Sequence, residues 1–258
     1  MIIAGASVQG TAHLAAAQGC QDAFKAADLG SVAVLAVSDG AGSRDRSALG
    51  AHMAVDAACR LLAEDVPAVD AAPEEWTRWT GARGRQIAEE YLRMVSGVLG
   101  QDAAGDSGAL AATLTAAVVA PPWTAFVSTG DGFGALLTRD GRCHLVLPPA
   151  APGRFLSSPG AALGVRTFTV WEPELGGVVL STDGCATLSL DHPSVHGLPA
   201  EAGPLPAEGF FLGLASVLRE NRGDAEPIRR LLSGPEAGRT GDDLTILCAL
   251  VEGGWPWV

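Results

Sequence analysis

The sequence predicts an α+β fold of mainly antiparallel sheets with helices packed on their outer faces. Three observations lead there. Apolar runs of strand length fill the first part of the chain and return after Gly108. Two long helical patterns separate them, and two shorter ones lie near the C-terminus. The elements do not alternate strand and helix, as a parallel sheet would require.

Residues 2–8 and 23–27 read as strands. Residues 32–37 form a stronger strand, an unbroken apolar run with β-branched residues. It stops at Ser38-Asp39-Gly40-Ala41-Gly42. Residues 47–62 place Leu49, Met53, Ala57 and Leu61 four apart, on one helical face. Residues 74–99 carry Trp76, Trp79, Ile87, Tyr91 and Val95, with Gly81 and Gly84 predicting a break into two shorter helices. The tryptophans read as buried packing area.

Strands follow at 113–120, 124–128, 134–138 and 144–147. Pro121-Pro122 and Asp140-Gly141 mark turns between them, the second a hairpin signal. Residues 148–164 are rich in Pro, Gly and Ser and read as a loop. Strands at 166–171 and 178–181 precede an irregular insertion at 191–208. Helices at 209–220 and 225–232 lead to a last strand at 244–251. With no clear linker and no repeat, residues 1–258 read as a single domain.

Hydrophobic residues make up 48% of the chain and aromatics only 5%, so the core is expected to be Val, Leu, Ile and Ala. A net charge of −12 without a basic run argues against a nucleic-acid partner; Arg83 and Arg85 do not make a groove. No segment is long and apolar enough for a membrane. The N-terminal residues lack a cationic start, and Gly5, Gln9, Gly10 and His13 interrupt them, which is unlike an export leader. Cys20, Cys59, Cys143, Cys185 and Cys248 form no CxxC pair and are odd in number. They predict free thiols, and hence a cytoplasmic protein, rather than disulfides or structural zinc.

The aspartates carry the chemistry. Asp22 precedes a short strand; Asp39, Asp131 and Asp183 follow apolar runs and each stands before glycine; Asp242 and Asp243 precede the last strand. One Asp-Gly is an ordinary turn. Several are different, because adjacent strand ends lie about 5 Å apart. Carboxylates gathered there repel one another unless a cation sits among them. All-oxygen sites of this kind suit Mg²⁺ and Mn²⁺. Competing motifs are weak or absent. There is no Walker loop and no Gly-x-Ser-x-Gly elbow. Gly130-Asp131-Gly132-Phe133-Gly134 is followed by a strand rather than a helix. The histidines at 13, 52, 144, 192 and 196 have no metal-site spacing, and His52 and His144 read as partly buried.

In order along the chain, Gln21-Asp22-Ala23, Val37-Ser38-Asp39-Gly40-Ala41-Gly42, Ala112-Thr113-Leu114-Thr115, Thr129-Gly130-Asp131, Leu180-Ser181-Thr182-Asp183-Gly184 and Gly241-Asp242-Asp243-Leu244-Thr245 resemble the protein phosphatase 2C family, in its bacterial form. The resemblance implies a four-layer αββα sandwich of two antiparallel sheets flanked by helix pairs. It implies hydrolysis of phosphoserine and phosphothreonine on proteins, with a phosphoprotein made by a Ser/Thr kinase as partner. The hydroxide nucleophile would bridge two Mg²⁺ or Mn²⁺ ions. By the same resemblance Asp39 would bridge the ions, with the Gly40 carbonyl as a further ligand. Asp183 and Asp242 would complete one site, Asp22 would act through metal-bound water, and Asp131 would support a third, weaker ion.

The chain departs from the family pattern. The position of a phosphate-gripping arginine is Ala17, that of a histidine after the first Asp-Gly is Ala41, and Gln21 stands where glutamate is frequent. His13 is expected either to contact phosphate, as a cation or proton donor, or to be a plain polar residue at the rim. Cys20 and Cys185 flank proposed ligands, and read as small buried thiols rather than as a redox-sensitive site. Two other functions stay open: a catalytically weak relative that binds a phosphoprotein or regulatory partner, and a small-molecule phosphoesterase using 148–164 or 191–208 as a selecting flap.

Overall fold

The computed structural model describes residues 1–42, 44, 46–100 and 107–253. In chain order the elements begin with β1 (Ile2–Val8), α1 (Thr11–Ala15), β2 (Asp22–Asp28), β3 (Ala33–Asp39), α2 (Ser47–Leu62) and α3 (Pro73–Leu99). Then come β4 (Leu114–Ala120), β5 (Trp123–Thr129), β6 (Phe133–Thr138), β7 (Cys143–Leu147), α4 (Ala161–Gly164), β8 (Arg166–Trp171) and β9 (Leu175–Ser181). The chain closes with α5 (Ala186–Ser189), β10 (Leu190–Asp191), β11 (Leu205–Pro206), α6 (Glu208–Glu220), α7 (Glu226–Leu232) and β12 (Leu244–Leu250).

Two five-stranded sheets, ordered β2-β3-β4-β5-β8 and β1-β12-β9-β6-β7, are antiparallel throughout. The side-chain period of two sets the layers. In β3, Ala33, Leu35 and Val37 enter the core between the sheets, while Val34 and Ala36 pack under α2 and α3. In β12, Leu247 and Ala249 face the same inner core, while Ile246, Cys248 and Leu250 pack under α6 and α7. Both faces of both strands are buried, which is why they read as unbroken apolar runs. The result is the expected four-layer αββα sandwich. The expected free thiols are also present, since no cysteine is paired.

Several local expectations are corrected. Helix α3 runs unbroken through Gly81 and Gly84. A Cβ at Gly84 would stand 2.6 Å from Thr167 Cγ2, so this glycine lets α3 lie close on β8 instead of breaking the helix. On α2, Leu49 is 45% exposed, and the buried face centres on Gly50, Ala51, Ala54 and Ala58. Four-residue steps drift around a 3.6-residue turn, and small residues allow the closest approach to the sheet. His52 and His144 are exposed, not partly buried. The 191–208 insertion contains β11 and the last residue of β10, which pair as a short antiparallel ribbon, and the 148–164 loop ends in α4. Trp76 stacks on Trp123 with ring centroids 5.5 Å apart, and their indole N–H groups donate to Ala68 O and Val69 O. The expected packing role holds for Trp76, which is buried, and for Trp79, which is half-buried and meets it edge-on with centroids 6.0 Å apart.

Candidate active site

Strand register gathers the aspartates at one end of the sandwich. Asp22 opens β2 and Asp39 closes β3, and the two are direct cross-strand partners. Asp183 follows β9 and Asp242 precedes β12, which is the neighbour of β9. Asp131 lies where the chain crosses from β5 to β6, and β6 pairs with β9 on the same side. A hairpin, a sheet neighbour and a crossover therefore deliver the five carboxylates to one rim.

Their electrostatics record the convergence. Burial, then repulsion from Asp22, Asp183, Asp242 and Asp131, pushes Asp39 up to about 10. Burial raises Asp22 to about 7; hydrogen bonds from Thr245 and Thr182 oppose the rise, and Asp243 and Asp242 add to it. Asp183 rises to about 6 through burial and then repulsion from Asp131 and Asp242. Asp131 is raised by burial and by Asp242. Among the described residues, the ion-pair contact at this rim is His13 with Asp243, and none of these five carboxylates has a Lys or Arg partner.

Polar residues fix the carboxylate frame. Asp22 Oδ2 accepts from Thr182 Oγ1 at 2.8 Å and Thr245 Oγ1 at 2.6 Å. The Asp39 N–H donates to Thr113 Oγ1 at 3.0 Å, and the Thr113 N–H donates back to Asp39 O at 2.8 Å. The Ala112-Thr113 motif is thus the brace of Asp39. At Gly40 a Cβ would meet Ser47 backbone atoms at 2.6 Å, so the glycine lets the turn after Asp39 sit on the start of α2.

Asp243 is the residue whose role the sequence does not reveal. It is 2% exposed, and its Oδ1 and Oδ2 accept the Gly10 and Gln21 N–H groups, each at 2.6 Å. It therefore ties the end of β1 and the start of β2 to β12. His13 Nδ1 lies 3.0 Å from Asp243 Oδ1, without hydrogen-bond alignment. His13 Nε2 faces the other way, 3.5 Å from where a Gly42 Cβ would sit. So His13 stands beside the carboxylate group, between Asp243 and the Asp39–Gly42 turn. Ala17 is exposed on the segment leading to β2 and brings no charge to the rim. Burial pushes the thiols of Cys20 and Cys185 up to about 11 and about 12, which favours the inert-thiol reading over the redox one.

The donor set fits hard divalent cations: carboxylate oxygens, mutually repelling, without protein cations to neutralise them. Among the described residues no three His, Cys, Asp or Glu side chains already form a closed ligand set.

An αββα sandwich with aspartates gathered at one end of its sheets is a protein-phosphatase architecture. The chain belongs to the protein phosphatase 2C family, whose profile matches residues 9–227. Solved structures share the fold. The serine/threonine phosphatase PstP/Ppp of Mycobacterium tuberculosis is 17% identical, with 97% of this chain and 98% of that one covered at a TM-score of 0.61. Stp1 of Staphylococcus aureus is 13% identical, with 98% and 96% covered at a TM-score of 0.59. RsbX, solved in complex with magnesium, is 17% identical, with 96% and 94% covered at a TM-score of 0.51. No curated protein matches the chain in sequence. Among the described residues no helix is long and apolar enough to cross a membrane.

Proposed function

We propose that this protein hydrolyses phosphoserine and phosphothreonine on protein substrates with the help of bound Mg²⁺ or Mn²⁺. One observation carries the reading: Asp22, Asp39, Asp131 and Asp183 converge with Asp242, and burial with carboxylate repulsion raises the pKa of the first four, without a Lys or Arg partner among the described residues. Asp39 is the central group of the five, since all the others repel it. In this reading Asp39 would serve both ions of a pair, with the Gly40 carbonyl as a further ligand; Asp183 and Asp242 would complete one site, Asp22 would act through water on the other side, and Asp131 would support a third, weaker ion. When bound there, hard cations would supply Lewis acidity to activate water and to offset phosphoryl charge.

The chain's own residues do the rest. Thr182 and Thr245 orient Asp22, and Thr113 orients Asp39. His13 lies beside Asp243 with Nδ1 3.0 Å from Oδ1, and its Nε2 is on the side of Gly42. There His13 can donate a hydrogen bond to a phosphoryl or leaving-group oxygen. We read residues 1–258 as a single phosphatase unit. The free cysteines support a cytoplasmic setting, and a Ser/Thr kinase would supply the substrate.

The test is hydrolysis of p-nitrophenyl phosphate and of a phosphothreonine peptide with Mn²⁺, with Mg²⁺ and with EDTA. Turnover that needs metal and disappears in Asp39→Asn supports the enzyme. Metal binding without turnover would instead make the chain a phosphoprotein-binding relative. Peptide turnover without sugar-phosphate turnover separates a protein phosphatase from a small-molecule phosphoesterase.

A further inference from the structure

A phosphate monoester brings up to two negative charges to a rim made of carboxylates. Cations held by the aspartates would offset the oxygens they touch. The oxygens facing away from them need donors from the protein. A cleft of about 400 Å³ opens beside this rim, lined by Gln18, Gln21, Gly42, Arg44 and Ser47 among others. Its walls belong to the segment before β2, the turn after β3 and the start of α2. Gln21 immediately precedes Asp22, and Gly42 lies on the turn that begins at Asp39.

We propose that Arg44 is the guanidinium that binds the substrate's phosphoryl group, reaching it from this cleft. This inference rests on the phosphatase reading above.

Three features support it. First, the Arg44 backbone is anchored. Its N–H donates to Ala41 O at 2.9 Å, and Ser47 Oγ lies 3.0 Å from Arg44 O and 2.9 Å from Gln21 Oε1. Ser47 thereby links the arginine turn to the residue before Asp22. Second, the Arg44 side chain is available. It is exposed, and it makes no hydrogen bond or ion pair among the described residues. By contrast, Arg60, Arg83 and Arg142 are each engaged with carboxylates. Third, His13 also borders Gly42, its Nε2 lying 3.5 Å from where a Gly42 Cβ would sit. Gly42 and Arg44 line the same cleft, so a histidine and an arginine border the turn that follows Asp39. A planar guanidinium can grip two phosphoryl oxygens at once, which a lysine ammonium does not reproduce.

The experiment is calorimetric titration of inorganic phosphate into the Mg²⁺-loaded protein, paired with steady-state kinetics on p-nitrophenyl phosphate. Arg44→Ala should weaken phosphate binding about tenfold and raise KM by a similar factor, with a smaller fall in kcat. Arg44→Lys should lie between the two. Arg46→Ala is the charge control, because Arg46 is nearby but does not line the cleft; it should stay within about twofold of the parent on the same charge-assisted scale. The proposal is overturned if the parent binds no phosphate, if Arg44→Ala binds it as tightly as the parent, or if Arg46→Ala weakens it equally. Absence of metal-dependent turnover in the parent would sink the phosphatase reading instead, and the phosphate titrations would still decide the role of Arg44.

Discussion

The two ends of the β-sandwich treat charge in opposite ways. At the end where β2 finishes and β1 begins, a cavity of about 660 Å³ is lined by Asp28 and Glu252 together with Arg219, Arg222 and Met1. The Met1 ammonium lies 3.1 Å from Glu252 Oε2, so charges of both signs meet there. At the end where β2 begins and β3 finishes, five aspartates meet without a Lys or Arg partner among the described residues, and Asp39 is pushed up to about 10. The more voluminous cavity therefore sits away from the chemistry. Unbalanced charge, rather than cavity size, marks the rim built for a ligand from outside, because repelling carboxylates are costly to hold together without a cation.

The sharpest way to break this comparison is Asp39→Asn. It removes the carboxylate repelled by all the others and should cut metal-dependent turnover on the order of 10³-fold. In the metal-free protein the same change should raise stability near neutral pH, since an amide folds without the proton uptake that Asp39, held at about 10, requires. A variant that loses activity but also loses metal-free stability would mean that Asp39 is a structural hydrogen-bonding residue and that the repulsion argument is wrong.

Asp243 makes the complementary case, a rim carboxylate already satisfied by the protein. Asp243→Ala leaves the Gly10 and Gln21 N–H groups without their acceptor and should cost about 2–4 kcal/mol in urea unfolding. Asp242→Ala, next to it in sequence, should cost far less stability and remove metal binding instead. Equal destabilisation by both would erase the distinction drawn between the neighbours.

The pH dependence follows from the raised carboxyls. Unfolded aspartates titrate near pH 3.9. Asp183, Asp22 and Asp39 are held at about 6, about 7 and about 10 in the fold. Between the unfolded and folded values the native state binds more protons, so metal-free stability falls as pH rises, by up to about 1.4 kcal/mol per pH unit for each carboxyl. Mg²⁺ offsets the ionised forms. The Mg²⁺-induced rise in Tm should therefore grow from pH 5 to pH 8. A shift independent of pH would show that these carboxyls do not meet the ion.

Strands and rim were legible in the sequence for the same reason. A strand buried on both faces, such as β3 with Leu35 inward and Val34 outward, leaves an unbroken apolar run, and its end is marked by the Asp-Gly that stops it. Other features depend on partners distant along the chain. Gly84 reads as a helix breaker until Thr167 lies against it. Nothing local separates Asp242 from Asp243, although one takes its place among the converging carboxylates and the other receives backbone N–H groups from Gly10 and Gln21. Arg44 sits in a turn without periodicity, and only the fold places it beside Gln21.

The smallest expected effect lies at the opposite end. Glu252→Gln removes a carboxylate, as the rim substitutions do, but one that is 67% exposed and paired with the Met1 ammonium. Exposed ion pairs contribute about 0–1 kcal/mol, because water and salt screen both partners and ordering them costs entropy. Urea unfolding of Glu252→Gln should therefore fall within about 1 kcal/mol of the parent. The Mg²⁺-induced rise in Tm, and its growth with pH, should be unchanged. If Glu252→Gln reduced the Mg²⁺ response as Asp39→Asn does, acidity in general would be recruiting the ion, and the aspartate rim would lose its claim to be the site.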